Sequence, residues 1–198
     1  LTYPSRHEAG VVTVERRIGR PEGLDLPIER IIASNGLAVH FGEPALAQAS
    51  GISVDVAGAL ASQPHRRDLR DMLCVMVDPA TARDFDDAIS CEPLPDGGWR
   101  LGVHIADVSH YVRPETPIDL EARARTCSAY LVDRVIPMLP ERLCNDACSL
   151  VPGQGRLAMS VFCELDSGGE VVRSEACCSA ICSKARLSYD EVDAMLEG

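Results

Sequence analysis

Four aspartates, Asp78, Asp84, Asp86 and Asp87, fall within ten positions of this 198-residue chain, with Arg83 and Phe85 among them. At neutral pH, carboxylates this close repel one another unless they are solvated, partly protonated or gathered around cations. Hard divalent ions such as Mg²⁺ or Mn²⁺ suit them, because these ions prefer oxygen ligands and keep positions for water and phosphate. The reaction that best fits an all-carboxylate cluster is phosphodiester hydrolysis: one ion makes a bound water nucleophilic and a second, about 4 Å away, steadies the leaving oxygen. The competing reading is a solvated acidic loop, which most charge runs are. An EF-hand fails, because counting from Asp78 or Asp84 the required Gly and Glu are missing. Asp84-Phe85-Asp86 matches the DxD of nucleotide-sugar glycosyltransferases on three letters only, and neither a glycine-rich phosphate loop nor a G-x-S-x-G elbow is present.

The elements that must position the cluster follow from pattern. Met72 to Val77 is a short apolar run of buried-strand type, and Pro79 opposes a helix through the aspartates, so a loop leading into a strand at Ala88 to Glu92 is expected. A loop is required, since neither helical nor strand periodicity would bring all four carboxylates to one point. Pro95 to Gly98 reads as a turn, and Trp99 to Val108 returns as a strand with Leu101, Val103 and Ile105 on one face, placing the aspartates at the entrance of a hairpin. Downstream, Thr116-Pro117 predicts a capped helix from Ile118 to about Leu131; Val135 to Pro140 must be extended or looped. A second hairpin is expected from Leu157 to Leu165 and Glu170 to Ser183, then a helix with a Ser188/Glu191 capping box running to Gly198. Upstream, Gly10 to Gly19 reads as a β-branched strand, and short helices are expected at Ile28 to Ser34, Pro44 to Ala49 and Val54 to Ala61. His65 to Asp71 is a dense polar lead into the first strand of the cluster.

The net charge of −11 lies entirely after residue 70: the first 70 residues carry eight Arg and eight Asp or Glu, the remainder eleven Lys or Arg and twenty-two acids. Alone, that argues against a nucleic-acid binder, which is usually basic, unless metals neutralise the acids or basic surfaces lie elsewhere in a longer protein. The nine cysteines are odd in number and form no CxxC pair, so reduced, mostly buried thiols with no disulfide partner are expected, and their spacing fits no zinc pattern. No run of about 18 apolar residues offers a membrane span, and the polar opening has no signal-peptide core; a cytoplasmic location with no membrane partner is expected. His104 and His110, near the cluster in sequence, suit neither a metal pair nor a triad and read as packed or surface histidines.

The order Asp78, Asp84-Phe85-Asp86-Asp87-Ala88, Val103 to Val112, Ile136-Pro137-Met138-Leu139-Pro140, Cys148-Ser149-Leu150 and Ala185-Arg186-Leu187-Ser188-Tyr189 resembles the RNB catalytic domain of the RNase II/RNase R exoribonucleases over residues 66–198. Ser128-Ala129-Tyr130 and Val135-Ile136-Pro137 favour the RNase R branch, while Val151 and Leu131-Val132-Asp133 depart from the usual pattern. Residues 1–30 look like the C-terminal end of the cold-shock (OB-type) domain that precedes RNB, leaving 31–65 as a helical connector. The resemblance implies a mixed α/β (α+β) chain that holds the N-terminal half of an RNB domain, built of antiparallel hairpins and helices. It further implies a hydrolytic, processive, Mg²⁺-dependent 3′→5′ exoribonuclease acting on the 3′ end of single-stranded RNA and releasing nucleoside 5′-monophosphates, with Mn²⁺ as a substitute ion. Asp78, Asp84, Asp86 and Asp87 match the family's acidic metal ligands, with Asp86, and Asp84 beside it, most directly tied to cleavage; Tyr130 matches an aromatic that stacks on RNA. From its position, Asp107 is expected behind the ligands, and Arg83 is expected either to pair with a neighbouring aspartate or to meet a phosphate. The chain reads as part of a longer protein, so this segment alone is expected to degrade RNA poorly. The rival is a non-catalytic RNB-like RNA-binding or regulatory protein, which would usually have lost one or more aspartates.

Overall fold

The computed structural model describes Val14 and residues 25–82 and 84–198. The strand expected from Gly10 to Gly19 lies outside them, Val14 excepted, as does Arg83. In chain order the elements are α1 (Asp25–Ser34), α2 (Glu43–Ser50), α3 (Val56–Ser62), β1 (Arg67–Leu69), β2 (Val75–Asp78), β3 (Asp87–Pro93), β4 (Trp99–Ala106) and α4 (Val108–Tyr111). They continue with α5 (Pro117–Arg125), β5 (Ala129–Tyr130), β6 (Val135–Ile136), a π-helical turn (Leu143–Ala147), β7 (Gly155–Leu165), β8 (Val171–Cys182), β9 (Ala185–Ser188) and α6 (Tyr189–Glu197). Two compact units result: Leu1–His40 with Ala129–Ile136, and Phe41–Ser128 with Pro137–Gly198.

In the larger unit seven strands form one sheet in the order β1-β8-β7-β4-β3-β2-β9. Its inner pairings are antiparallel, and the two outermost, β1 with β8 and β2 with β9, are parallel. Both expected hairpins are present, and the first turns at Gly97, whose φ of +85° is a left-handed conformation that glycine adopts without strain. The core gathers Cys74, Met76 and Ala88 from the strands beside the cluster, Ala106 and Ala158 from the sheet centre, and Ile118, Leu143 and Leu150 from the segments that cover them.

The polar lead before β2 behaves differently from its composition. Arg66 is 6% exposed, and its guanidinium donates to Asp107 Oδ2 at 2.7 Å, to the Ser179 carbonyl at 2.8 Å and to Gln63 Oε1 at 3.0 Å. That network holds the edge strand β1 along β8. A second buried network crosses four strands: His104 bridges Ser90 Oγ (3.0 Å) and Ser160 Oγ (2.7 Å), and Ser160 meets Ser179 at 2.6 Å. Gly102 makes the room, since a Cβ there would stand 2.3 Å from Ser90 Oγ. His104 is therefore the packed histidine its sequence context suggested, with burial pushing its pKa down so that it is neutral. His110 is half-buried, edge-on to the Tyr111 ring.

Three expectations need correction. The helix after Pro117 stops at Arg125 rather than near Leu131, because Thr126 turns left-handed at φ +66° and the following residues pair as a strand. Thr116 precedes that helix without capping it by side chain: its hydroxyl donates to the Arg113 carbonyl, and Gln48 Oε1 from α2 accepts the Ile118 amide at 3.0 Å instead. The cysteines are not mostly buried: among the nine only Cys74 and Cys148 are, Cys91 and Cys127 are exposed, and the other five are half-buried. The Ser188/Glu191 capping box forms as expected.

In the smaller unit α1 begins at Asp25, which keeps Pro27 within the first turn, and ends before Gly36 at φ +63°. The β5–β6 hairpin pairs Tyr130 with Val135, and Arg134 forms an ion pair with Glu29 at 3.4 Å. Among the described residues no helix is long and apolar enough to cross a membrane.

Candidate functional site

The carboxylates collect at one end of the sheet, where β2 ends at Asp78 and β3 begins at Asp87. The connecting loop starts as a turn closed by the Ala82 amide on the Pro79 carbonyl (2.9 Å), consistent with the helix-opposing Pro79. Further on, the Phe85 carbonyl accepts the Leu150 amide (2.7 Å) and the Asp86 carbonyl accepts the Ala106 amide (2.8 Å). Phe85 packs its ring against the core. Cys148-Ser149-Leu150, far away in sequence, thus has a local job: it anchors the loop at the residue between Asp84 and Asp86.

The surroundings work against the charge on two of these groups. Burial pushes the Asp78 carboxyl up, the charges on Asp87 and Asp86 push it further, and Arg186 partly opposes them. One oxygen of Asp78, Oδ2, is buried without a hydrogen-bond partner. Asp86 keeps accessible surface, yet crowding protein around its carboxyl raises it too; its own backbone amide opposes this, and repulsion from Asp87 and Asp84 adds to it. Asp78 thus feels the charge of the other three aspartates, and Asp86 that of Asp84 and Asp87. Among the described residues no three His, Cys, Asp or Glu side chains are grouped closely enough to hold a metal ion. The chemistry of the aspartates fits a hard cation: the donors are all oxygen, one buried acceptor is unsatisfied, and the mutual repulsion is what a divalent ion relieves.

The other expected residues fall in different places. Asp107 caps α4, with its carboxylate taken by Arg66, by the Ser109 hydroxyl (2.7 Å) and by the His110 amide (3.1 Å). Burial alone would raise it, but the Arg66 and Ser109 hydrogen bonds bring it below the usual carboxylate range. Tyr130 belongs to β5 in the smaller unit and is 68% exposed, so it is neither helical nor a core residue. Arg186 went unassigned in the sequence reading. It lies on β9 opposite Met76 and donates through Nη2 to the carbonyls of Pro79 (3.0 Å) and Ala80 (2.8 Å).

A family model described as the RNB domain matches residues 66–198, the whole of the stretch that carries the cluster. The chain belongs to the RNB family. Ribonuclease R of Thermotoga maritima is 45% identical over 207 aligned residues, covering 100% of this chain and 28% of that protein. A solved structure of Mycoplasma genitalium RNase R in complex with ribose-methylated single-stranded RNA shares the fold with a TM-score of 0.85 at 35% identity, over 91% of this chain and 28% of that one. Yeast Ssd1, a pseudonuclease, matches with a TM-score of 0.76 at 19% identity over 91% of this chain and 23% of that one, which shows the RNB fold alone. The mixed α/β architecture is thus that of the RNase R RNB domain, and the chain spans 28% of the length of its Thermotoga relative. Because a pseudonuclease shares the fold, the functional argument rests on the carboxylates rather than on the architecture.

Proposed function

We propose that the protein is a hydrolytic, processive 3′→5′ exoribonuclease of RNase R type, working in the cytoplasm on the 3′ ends of single-stranded RNA and releasing nucleoside 5′-monophosphates. Asp78, Asp84, Asp86 and Asp87 would hold Mg²⁺, with Mn²⁺ as a substitute. The observation that best supports this reading is the run of four aspartates across the β2–β3 connection, with the Asp78 and Asp86 carboxyls pushed up by burial and by their acidic neighbours and one Asp78 oxygen buried and unsatisfied.

The bound ion supplies a nucleophilic water and charge stabilisation at the leaving oxygen. Without it the carboxylates repel a phosphodiester, so the same residues that hold the ion make it obligatory for substrate approach. Asp86 combines a crowded carboxyl with accessible surface, which lets it serve the ion and face the reacting phosphate. The open ring of Tyr130 offers a stacking face, a contact tolerant of base identity and so suited to processive degradation. The relatives support this reading by name: RNase R in Thermotoga and Mycoplasma, the latter in complex with single-stranded RNA. A non-catalytic RNB protein would usually lack one or more of the aspartates, and all four are present.

The test is degradation of a 5′-labelled single-stranded RNA by the full-length protein in Mg²⁺. Shortening from the 3′ end with nucleoside 5′-monophosphate products, lost in Asp86→Asn, is expected. RNA that stays intact with the wild-type protein, or is cut equally well by Asp86→Asn, refutes it.

A further inference from the structure

We propose that Arg186 is a positioning residue for the carboxylate cluster: its guanidinium clamps the loop that carries Asp84 and Asp86 through backbone carbonyls rather than by bonding the Asp78 carboxylate. Three observations converge on it. Nη2 reaches the carbonyls of Pro79, Ala80 and Ala82 at 3.0, 2.8 and 3.4 Å, so one group holds three points of the same turn. The guanidinium also lies over the Phe85 ring, 4.7 Å from its centroid, within the range of a cation–π contact. Finally, β9 runs parallel to β2 with Arg186 opposite Met76 and Ser188 opposite Asp78, so the clamp springs from the strand next to the one that delivers Asp78.

The choice of partners is the informative part. A cation beside four carboxylates would ordinarily form an ion pair, yet Arg186 spends its hydrogen bonds on backbone carbonyls, and Asp78 Oδ2 remains without a donor. A direct Arg–carboxylate bond would occupy the oxygens a metal needs. Bonding the carbonyls instead fixes the loop, and the guanidinium's charge still eases the repulsion around Asp78 at longer range. Arginine suits both contacts at once, because its flat guanidinium can lie over the ring while Nη2 reaches the carbonyls, whereas an ammonium is a compact, strongly hydrated point charge.

This inference rests on the metal-dependent nuclease reading, and its test separates the two. In the full-length protein, Arg186→Met and Arg186→Lys are compared with wild type. Metal-free amide hydrogen exchange over residues 79–86 is expected to speed up most in Arg186→Met and less in Arg186→Lys, with the other strands of the sheet unchanged. Mn²⁺ affinity, measured by titration calorimetry, is expected to fall about 10- to 100-fold in Arg186→Met, the usual effect of losing a group that orients metal ligands. Wild-type exchange and Mn²⁺ affinity in Arg186→Met overturn the proposal, and so does a loss of protection spread over the whole sheet, which marks a merely structural role. If wild type binds no Mn²⁺ and leaves RNA intact, the nuclease reading fails instead, and the metal-free exchange still decides whether Arg186 clamps the loop.

Discussion

Asp78 and Asp86 are carboxyl groups whose surroundings favour the protonated form, and that has a thermodynamic consequence. A group whose pKa is raised on folding contributes stability below its unfolded value, about 3.9 for aspartate, and loses that contribution as pH rises through the folded value. At neutral pH the metal-free cluster is therefore a strain on the fold. Asp78→Asn should raise the melting temperature of the metal-free protein at pH 7, with the gain shrinking toward pH 4, and should reverse to a deficit against wild type in saturating Mn²⁺. Thermal melts across pH, with and without Mn²⁺, check this; a variant less stable than wild type at pH 7 without metal contradicts it. The cluster itself was legible in the sequence, because four aspartates around a proline and a phenylalanine cannot all be satisfied by regular structure. What Arg186 does was not legible, since the partners of a guanidinium a hundred residues away are backbone carbonyls, and backbone carbonyls leave no mark in residue types.

At the scale of elements, the sheet is held in register by polar networks as well as by apolar packing. Arg66 and Asp107 tie α4 and the β1 edge to the centre of the sheet, with side chains 2% and 4% exposed. Removing one partner of such a pair leaves a buried charge uncompensated, so Arg66→Ala should destabilise the protein by about 3–5 kcal/mol, and the double change Arg66→Met/Asp107→Leu by clearly less. Urea unfolding of the single and double variants measures both. Gly102→Ala should cost roughly 1–3 kcal/mol, because the added methyl intrudes on the Ser90–His104 contact; unfolding at wild-type denaturant concentration would show that the contact yields freely. Both hairpins, the Gly97 turn and the capping box of α6 could be read from alternation, turn residues and local spacing. The early end of α5 could not, because nothing in the residue types marks Thr126, a non-glycine, as the position that turns to φ +66° before the β5–β6 hairpin. Arg66 read only as part of a dense polar lead because its partners, Asp107 and the Ser179 carbonyl, are remote in sequence.

For the molecule as a whole, the family was legible from the order of short motifs over residues 66–198, and the fold explains why those motifs travel together. Asp78 to Ala88 carries the candidate site, Leu150 and Ala106 pin its backbone, and Arg186 reaches it from β9. The net charge of −11 looked hostile to RNA. It becomes intelligible if cations stand between the aspartates and the phosphate, and chelation should then abolish RNA degradation by the full-length protein, with Mn²⁺ restoring it. The most direct test of that central claim is Mn²⁺ binding to the full-length protein, titrated for wild type and for Asn at each of positions 78, 84, 86 and 87 in turn. The account predicts saturable binding that weakens at least about tenfold in the Asp78 and Asp86 variants, as loss of a ligating carboxylate should. Binding that is indifferent to all four substitutions would contradict it.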